Sequence, residues 1–158
     1  MKSLRWPLLT FGMALSMLFG VFGITFAATS QTTTYEWSHN TQTGDWQSIG
    51  DSSAYNGSSV DWNSYEQGTF TWNYMDNLIP AGDQVYAYAY IDSASATDPY
   101  TIYGSSTGAS TEIDQQLASP GWNYLFAYYV YNPGSDYIAL NSNGNYSAVA
   151  DAIQVDVP

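Results

Sequence analysis

The clearest pattern in this chain is an alternation over residues 84–92, where every second position of the central part is a tyrosine. Successive side chains of a strand point to opposite faces. Tyr86, Tyr88 and Tyr90 therefore share one face, and alanine and branched aliphatic residues share the other. The segment predicts a strand. The pattern leaves open which face is buried, because tyrosine suits both a core and a solvent-facing aromatic surface.

Short aromatic and apolar runs recur along the chain, separated by Asn, Gly, Pro and Ser. Such turn residues between strand-like runs are typical of antiparallel sheet. About eight or nine short strands, without helical periodicity, predict an all-β fold: an antiparallel β-sandwich or jelly roll. The predicted strands are 35–39, 68–75, 84–92, 100–103, 111–115, 123–131, 136–140 and 149–157, with 46–49 and 60–65 ambiguous and 40–45 turn-like.

The last predicted strand carries an acidic residue on its apolar face. Asp151 shares that face with Val149, Ile153, Val155 and Val157. A carboxylate in such a place is costly unless hydrogen bonds satisfy it. Two interpretations follow: a ligand or metal carboxylate, or a buried acid that accepts hydrogen bonds and fixes the end of the strand. The second is favoured.

The first 27 residues have the pattern of an export signal. Lys2 and Arg5 precede a long uncharged and mostly apolar run, and Thr25 and Ala27 place small residues where a signal peptidase cleaves. We predict a signal peptide over residues 1–27, a flexible lead-in over 28–34 and one β-sandwich domain over 35–158. The alternative is an uncleaved anchor, because the run is long enough to span a bilayer. The protein is expected outside the cell, free or associated with the cell surface.

The charge distribution excludes some partners. Lys2 and Arg5 are the only basic residues beside 14 acidic ones, which gives a formal net charge of −12. Nucleic acid is excluded as a natural partner, and an anionic membrane surface is disfavoured, because nothing after Arg5 neutralises phosphate. The absence of cysteine excludes disulfides and thiol chemistry.

The same acidity predicts an unusual pH dependence of stability. Folding brings carboxylates together without cations to offset their repulsion, which raises their average pKa. Stability should then be higher near about pH 4–5 than near about pH 8. Hydrogen-bonded acids, Asp151 among them, are expected to have the opposite effect on stability, because hydrogen bonds to a carboxylate lower its pKa.

Several short motifs occur in a characteristic order: Gly44-Asp45-Trp46, Phe70-Thr71-Trp72, Gly121-Trp122, Pro133-Gly134 and Ala150-Asp151-Ala152-Ile153. In this order the chain resembles the golvesin-like family of carbohydrate-binding-like modules. The resemblance implies a β-sandwich accessory module of the kind that accompanies secreted enzymes acting on polysaccharides. It also places Trp46, Trp72, Trp122 and Asp151 at family motif positions.

Aromatic residues are the candidate binding groups, because tyrosine and tryptophan combine a flat apolar ring with a polar atom. The candidate ligand-binding residues are Trp37, Trp62, Tyr86, Tyr88 and Tyr90. We interpret three other tryptophans as packing residues of the core or of loops: Trp46, Trp72 and Trp122.

Acidic residues suggest a calcium site only weakly. Asp51 and Asp61 flank one polar loop, and Asp92 and Asp98 flank another. Carboxylates suit Ca²⁺, but no calcium-loop spacing is present and aspartate also favours turns. We predict no cofactor, with a structural calcium ion as the alternative.

No catalytic motif stands out. The chain has one histidine, His39, and lacks a nucleophile elbow or a histidine-based zinc motif. We predict a secreted, non-catalytic module that binds glycan or cell-envelope polysaccharide. One alternative is a self-associating structural protein of an extracellular matrix, coat or filament, since sandwiches leave open sheet edges. A small hydrolase or lyase is the other.

Overall fold

The computed structural model describes residues 31–36, 40–57, 60–63, 67–73, 79–92 and 99–158, so the predicted signal peptide lies outside the described residues. The predicted all-β sandwich is confirmed. Within the described ranges, no helix is long and apolar enough to cross a membrane. The strands are β1 (Gln31–Glu36), β2 (Asn40–Thr43), β3 (Trp46–Ile49), β4 (Val60–Asn63), β5 (Gln67–Asn73), β6 (Gln84–Ile91), β7 (Thr101–Ser105), β8 (Ser110–Ile113), β9 (Gly121–Tyr129), β10 (Tyr137–Asn143), β11 (Ala148–Ala150) and β12 (Ala152–Val157).

Three antiparallel sheets arrange these strands. The first sheet has the order β1-β12-β6-β9, the second sheet β2-β5-β10-β7-β8 and the third, smaller sheet β11-β4-β3. The chain passes back and forth between the first and second sheets, as from β5 to β6 to β7 and from β9 to β10. Their inner faces contribute to one hydrophobic core.

The core combines small residues of β6 in the first sheet with large aromatic residues of the second sheet. Ala87 and Ala89 of β6 are buried, and so are Phe70 and Trp72 of β5 and Tyr103 of β7. Small side chains in one layer leave the room that bulky side chains of the facing layer need. Truncating a buried aromatic residue costs about 3–5 kcal/mol, so these rings supply much of the stability.

The burial of β6 resolves which face of the tyrosine strand is inside. Val85, the two alanines and Ile91 are buried, whereas Tyr86, Tyr88 and Tyr90 are half-buried on the outer face of the first sheet. The alanine side fits the core because the second sheet already fills the space with aromatic rings. The three tyrosines therefore do not contribute to the core between the sheets.

The first strands differ from the prediction. Residues 31–34, predicted as part of a flexible lead-in, belong to β1 and pair with β12, for example Thr33 with Val155. Residues 40–43, predicted as turn-like, form β2 and pair with β5. Both strands are rich in threonine, whose branched side chain suits a partly exposed strand. The described residues form twelve strands, more than the eight or nine predicted, because β2, the ambiguous segments β3 and β4, and the division of 149–157 into two strands add to the predicted set.

The single strand predicted over residues 149–157 is in fact two strands in two sheets. β11 pairs with β4 in the third sheet, and β12 pairs with β6 in the first. Asp151 is the residue between them. The apolar stripe continues across this crossover, because Val149, Ile153 and Val155 are all buried.

A buried amide ties the β8–β9 connection to β11. Gln115 has no exposed surface. Its Nε2 donates to the hydroxyl of Tyr103 and to the carbonyl of Val149, both at 2.8 Å, and its Oε1 accepts the Val149 N–H at 2.9 Å. All the polar atoms of the side chain are thus used, as burial requires.

Candidate functional site

Aromatic rings cover the outer face of the first sheet. Register places Tyr88 opposite Tyr124 of β9, and Tyr90 opposite Trp122. The Tyr88 and Tyr124 ring centroids are 5.6 Å apart with an interplanar angle of 68°, and those of Tyr90 and Trp122 are 5.3 Å apart at 82°. These edge-to-face contacts fix the rings relative to one another. We name this surface, with Tyr86 and with Tyr55 described next, the aromatic face.

Tyr55 joins the aromatic face from a distant loop. Its ring centroid lies 5.5 Å from that of Tyr90 and 5.2 Å from that of Trp122. The short 3-10 turn Tyr55–Gly57 is held by two long-range hydrogen bonds. The Tyr55 N–H donates to Asp151 Oδ2 at 2.6 Å, and Asn56 Nδ2 donates to Glu36 Oε1 at 2.7 Å.

Polar groups of β12 border the tyrosines. Gln154 is the register partner of Tyr88, and Asp156 is that of Tyr86. Gln154 Nε2 donates to both carboxylate oxygens of Asp156, at 3.0 and 3.2 Å. Partial burial, and then the Asp156 carboxylate and two neighbouring tyrosines, raise the pKa of Tyr88. Its phenol therefore stays protonated and can donate a hydrogen bond at neutral pH.

Asp151 lies behind the aromatic face at the crossover between sheets. It is buried, and its pKa is raised to about 7. Burial is the largest cause, and the carboxylates of Asp92, Glu36 and Asp51 act in the same direction, whereas the hydrogen bond from the Tyr55 N–H lowers the pKa. We predicted that hydrogen bonding would lower the pKa of Asp151. That prediction is wrong, because the hydrogen bond from the Tyr55 N–H does not offset the loss of hydration.

The structure separates the predicted aromatic residues into two groups. Tyr86, Tyr88 and Tyr90 lie on the aromatic face with Trp122, which packs against the loop residue Tyr55. Trp46 and Trp72 are buried in the core. Their indole N–H groups donate to backbone carbonyls: Trp46 to Thr43 at 3.1 Å and Trp72 to Asp151 at 3.4 Å.

Two predicted binding residues are not placed. Trp37 lies outside the described residues, and Trp62 belongs to β4 with its side chain outside the described part. Three residues of the aromatic face were not predicted as binding residues: Trp122, which was interpreted as a packing residue, Tyr124 and Tyr55. Tyr124 follows Trp122 at the spacing of a shared strand face, a signal that was available. Tyr55 lies in a Ser- and Asn-rich loop and had no local signal.

The candidate calcium ligands do not form a site in the part of the chain that is described. There, no group of three or more His, Cys, Asp or Glu side chains is placed to hold a metal ion. Asp51 accepts the Ser53 N–H at 2.8 Å, which is a turn contact. Asp98 and the side chain of Asp61 lie outside the described residues.

Comparison with known proteins gives matches among solved structures alone. No protein-family model matches the chain, and a search of curated proteins gives no match. The golvesin-like resemblance therefore stays a prediction. Among solved structures, the chain is similar to Paenibacillus xanthan lyase, with a TM-score of 0.63 and 20% identity over 80% of this chain. The chain spans only 13% of that lyase.

Two other similar structures are carbohydrate-binding modules of about the same size as the described domain. The C-terminal CBM6 of LamC, a marine laminarinase from Zobellia galactanivorans, has a TM-score of 0.53 and 12% identity, with 79% of this chain and 98% of that chain covered. The CBM35 from Paenibacillus barcinonensis has a TM-score of 0.53 and 18% identity, with 78% and 97% covered. The chain has the β-sandwich fold of these modules.

Proposed function

We propose that this protein is a secreted, non-catalytic module that binds an uncharged glycan on its aromatic face. One observation carries the proposal: β6 turns its tyrosines outward although the core is complete without them. Val85, Ala87 and Ala89 fill the inner side of the strand. Three aligned tyrosines on the solvent side, joined by Trp122 and Tyr124, are available for a ligand.

The chemistry of the aromatic face suits a sugar. A tyrosine ring offers a flat apolar surface to the C–H groups of a pyranose, and its hydroxyl offers a hydrogen bond. Gln154 and Asp156 stand beside Tyr88 and Tyr86 and supply an amide and a carboxylate for sugar hydroxyls. Such a combination of apolar surface with a few oriented polar groups is the usual composition of a ligand site.

Charge restricts the class of glycan. After Arg5 the sequence contains no Lys or Arg, and the net charge is −12. A polysaccharide rich in uronate or sulfate would meet no guanidinium or ammonium group and would be repelled. An uncharged polysaccharide has no such penalty. The fold supports glycan binding in general and not one charge class, because similar structures are carbohydrate-binding modules or belong to enzymes named for polysaccharides.

Affinity gel electrophoresis tests the proposal. The protein would migrate through gels containing β-glucan, xylan, galactan, alginate or polygalacturonate. We expect retardation by at least one neutral polymer, none by the two anionic polymers, and loss of retardation in Tyr88→Ala. Thr71→Ala, on the outer face of the second sheet, is the matched control and should migrate as the wild type does. Retardation that survives in Tyr88→Ala would contradict the proposal.

Self-association is a second candidate function. Tyr124, Tyr129 and Tyr131 are exposed by 54%, 62% and 76%, more than a module without a partner needs. β9 is also an edge strand of the first sheet. Light scattering over a range of protein concentrations decides between the two: this alternative predicts oligomers that form without any glycan.

A further inference from the structure

A groove at one end of the sandwich carries a second set of exposed tyrosines. It lies between the β7–β8 turn and the β9–β10 loop and has a volume of about 670 Å³, within the usual range of ligand sites. Tyr129, Tyr131 and Tyr137 line it. Tyr131 is 76% exposed and Tyr137 is 40% exposed, so their rings are open to solvent. We name this the end groove.

A buried carboxylate holds the end groove in shape. Asp136 is 4% exposed, and its Oδ2 accepts the backbone N–H groups of Tyr131 and Asn132 at 2.9 and 3.3 Å. Its Oδ1 accepts the hydroxyl of Ser106, in the β7–β8 turn, at 3.0 Å. One side chain thus joins the two walls. The groove is preorganised, which lowers the entropy cost of binding.

The end groove continues the aromatic face. Ala127 lines the groove and is the register partner of Tyr86, which is the β6 tyrosine at the groove end of the aromatic face. Tyr129 is the partner of Gln84, farther along the same pair of strands. At about 3.4 Å per residue, the distance along β6 from Tyr90 to Gln84 is about 20 Å. The two surfaces together therefore match a chain of several sugars rather than a single sugar.

We propose that the end groove is a second subsite for the same uncharged polysaccharide, so that the module binds an internal stretch of the chain along β6 and β9. This proposal rests on the proposed function of the aromatic face. The groove offers the chemistry that sugars require: three exposed tyrosines with neighbouring hydroxyl and amide groups from Ser106, Ser135 and Asn132. The Asp136 carboxylate accepts three hydrogen bonds from the protein and thereby positions the two walls of the groove.

Calorimetric titration with oligosaccharides of increasing length tests the proposal. The probes are the β-1,3-glucan, β-1,4-glucan and xylan series, from trisaccharide to decasaccharide. We expect the affinity of the wild type to rise with length. Tyr131→Ala should weaken binding of the decasaccharide about tenfold and leave the trisaccharide unchanged. Tyr100→Ala is the control, since Tyr100 is 54% exposed but lies at the other end of β7.

The outcomes separate this proposal from the proposed function. Equal affinity of Tyr131→Ala and the wild type for the decasaccharide overturns the second subsite, while lost binding in Tyr88→Ala would keep the first. If Tyr131→Ala loses decasaccharide binding while Tyr88→Ala binds fully, the aromatic face is not a binding site. The proposal that one polysaccharide spans the aromatic face and the end groove then fails as well. Sedimentation velocity on the same variants detects a protein interface: dimers abolished by Tyr131→Ala, with unchanged sugar affinity, also overturn the subsite.

Discussion

The outer faces of the two main sheets differ in how their side chains meet solvent. On the second sheet, Thr69 Oγ1 donates to Asn141 Oδ1 at 2.8 Å, and Asn73 Nδ2 donates to Thr41 Oγ1 at 3.3 Å. The first sheet instead presents aromatic rings in edge-to-face contact, as between Tyr88 and its partner on β9. We call these surfaces the polar face and the aromatic face.

The requirements of folding explain the composition of the polar face but not that of the aromatic face. The polar face satisfies hydroxyl and amide groups across neighbouring strands, as expected of a solvated sheet, and its exposed large apolar residues among those described, Ile102 and Tyr137, are not joined by ring contacts like those of the aromatic face. The aromatic face exposes flat apolar area that the core does not require, since Ala87 and Ala89 complete the packing behind it. Surface of that kind marks an interaction site.

Truncating an aromatic residue of the core should lower the free energy of unfolding more than truncating one on the aromatic face. Phe70→Ala removes a ring with no exposed area, and we expect the free energy of unfolding to fall by about 3–5 kcal/mol. Tyr88→Ala removes a half-buried ring and should cost about 1–2 kcal/mol. Urea denaturation monitored by tryptophan fluorescence measures both. Equal losses would show that the tyrosine stripe is structural and would remove the basis of the contrast.

The buried acid behind the aromatic face should make stability depend on pH. Because the pKa of Asp151 is raised to about 7 in the folded state, its proton stabilises the fold at low pH, and this stabilisation is lost as pH rises from about 4 to about 7. We expect the free energy of unfolding to fall by roughly 2–4 kcal/mol over that range. Asp151→Asn should flatten the profile. Its amide oxygen can still accept the Tyr55 N–H.

Thermal and urea melts of three proteins across that pH range check this prediction. Asp45→Asn removes the same charge at an exposed position and serves as the control, which should retain the slope of the wild type. A wild-type stability that rises from pH 4 to pH 7 would contradict the raised pKa. It would indicate that hydrogen bonds to carboxylates dominate the titration.

Removing a buried side-chain amide should destabilise the fold more than removing an exposed one. Gln115→Met leaves the N–H and carbonyl of Val149 without their partner, and we expect a loss of about 1–3 kcal/mol. Asn141→Ala breaks a comparable contact on the polar face, where water replaces it. The urea midpoints of the two variants provide the measurement, and a neutral Gln115→Met would show that the buried network contributes nothing.

The polar face should be the most tolerant surface. Thr71→Ala and Asn141→Ala should each change the free energy of unfolding by less than about 0.5 kcal/mol, as is usual for surface substitutions. Both variants should also bind glycan as the wild type does. Weakened binding in either would move the site to the second sheet.

The sequence predicts regular strands well and long-range arrangements poorly. The alternation of residues 84–92 predicts β6 and the shared face of its tyrosines, because both depend only on the two-residue period of a strand. Which side is buried depends on the aromatic rings of another sheet, and no pattern within β6 records them. The lead-in and turn predictions over residues 31–34 and 40–43 failed for a related reason. These threonine-rich segments become strands through pairing with β12 and β5.

The candidate site shows the same limit. Tyr86, Tyr88 and Tyr90 were found together because one strand carries them. Tyr55 reaches the aromatic face through a hydrogen bond to Asp151, a residue 96 positions away. The alternation of residues 149–157 indicated a buried Asp151, but the direction of its pKa shift depends on the donors that reach it in the fold, and the Tyr55 N–H does not offset the burial.

NMR titration of the isotopically labelled protein with a neutral oligosaccharide locates the bound ligand and so shows whether the aromatic face is the binding surface. The probe is the neutral polymer that retards the protein in gels, cut to soluble oligomers. We expect amide shifts on β6 and β9, around Tyr88 and Tyr124, and none around Thr71 and Asn141 of the polar face. Shifts confined to the polar face, or no shift with any neutral oligosaccharide, would contradict it.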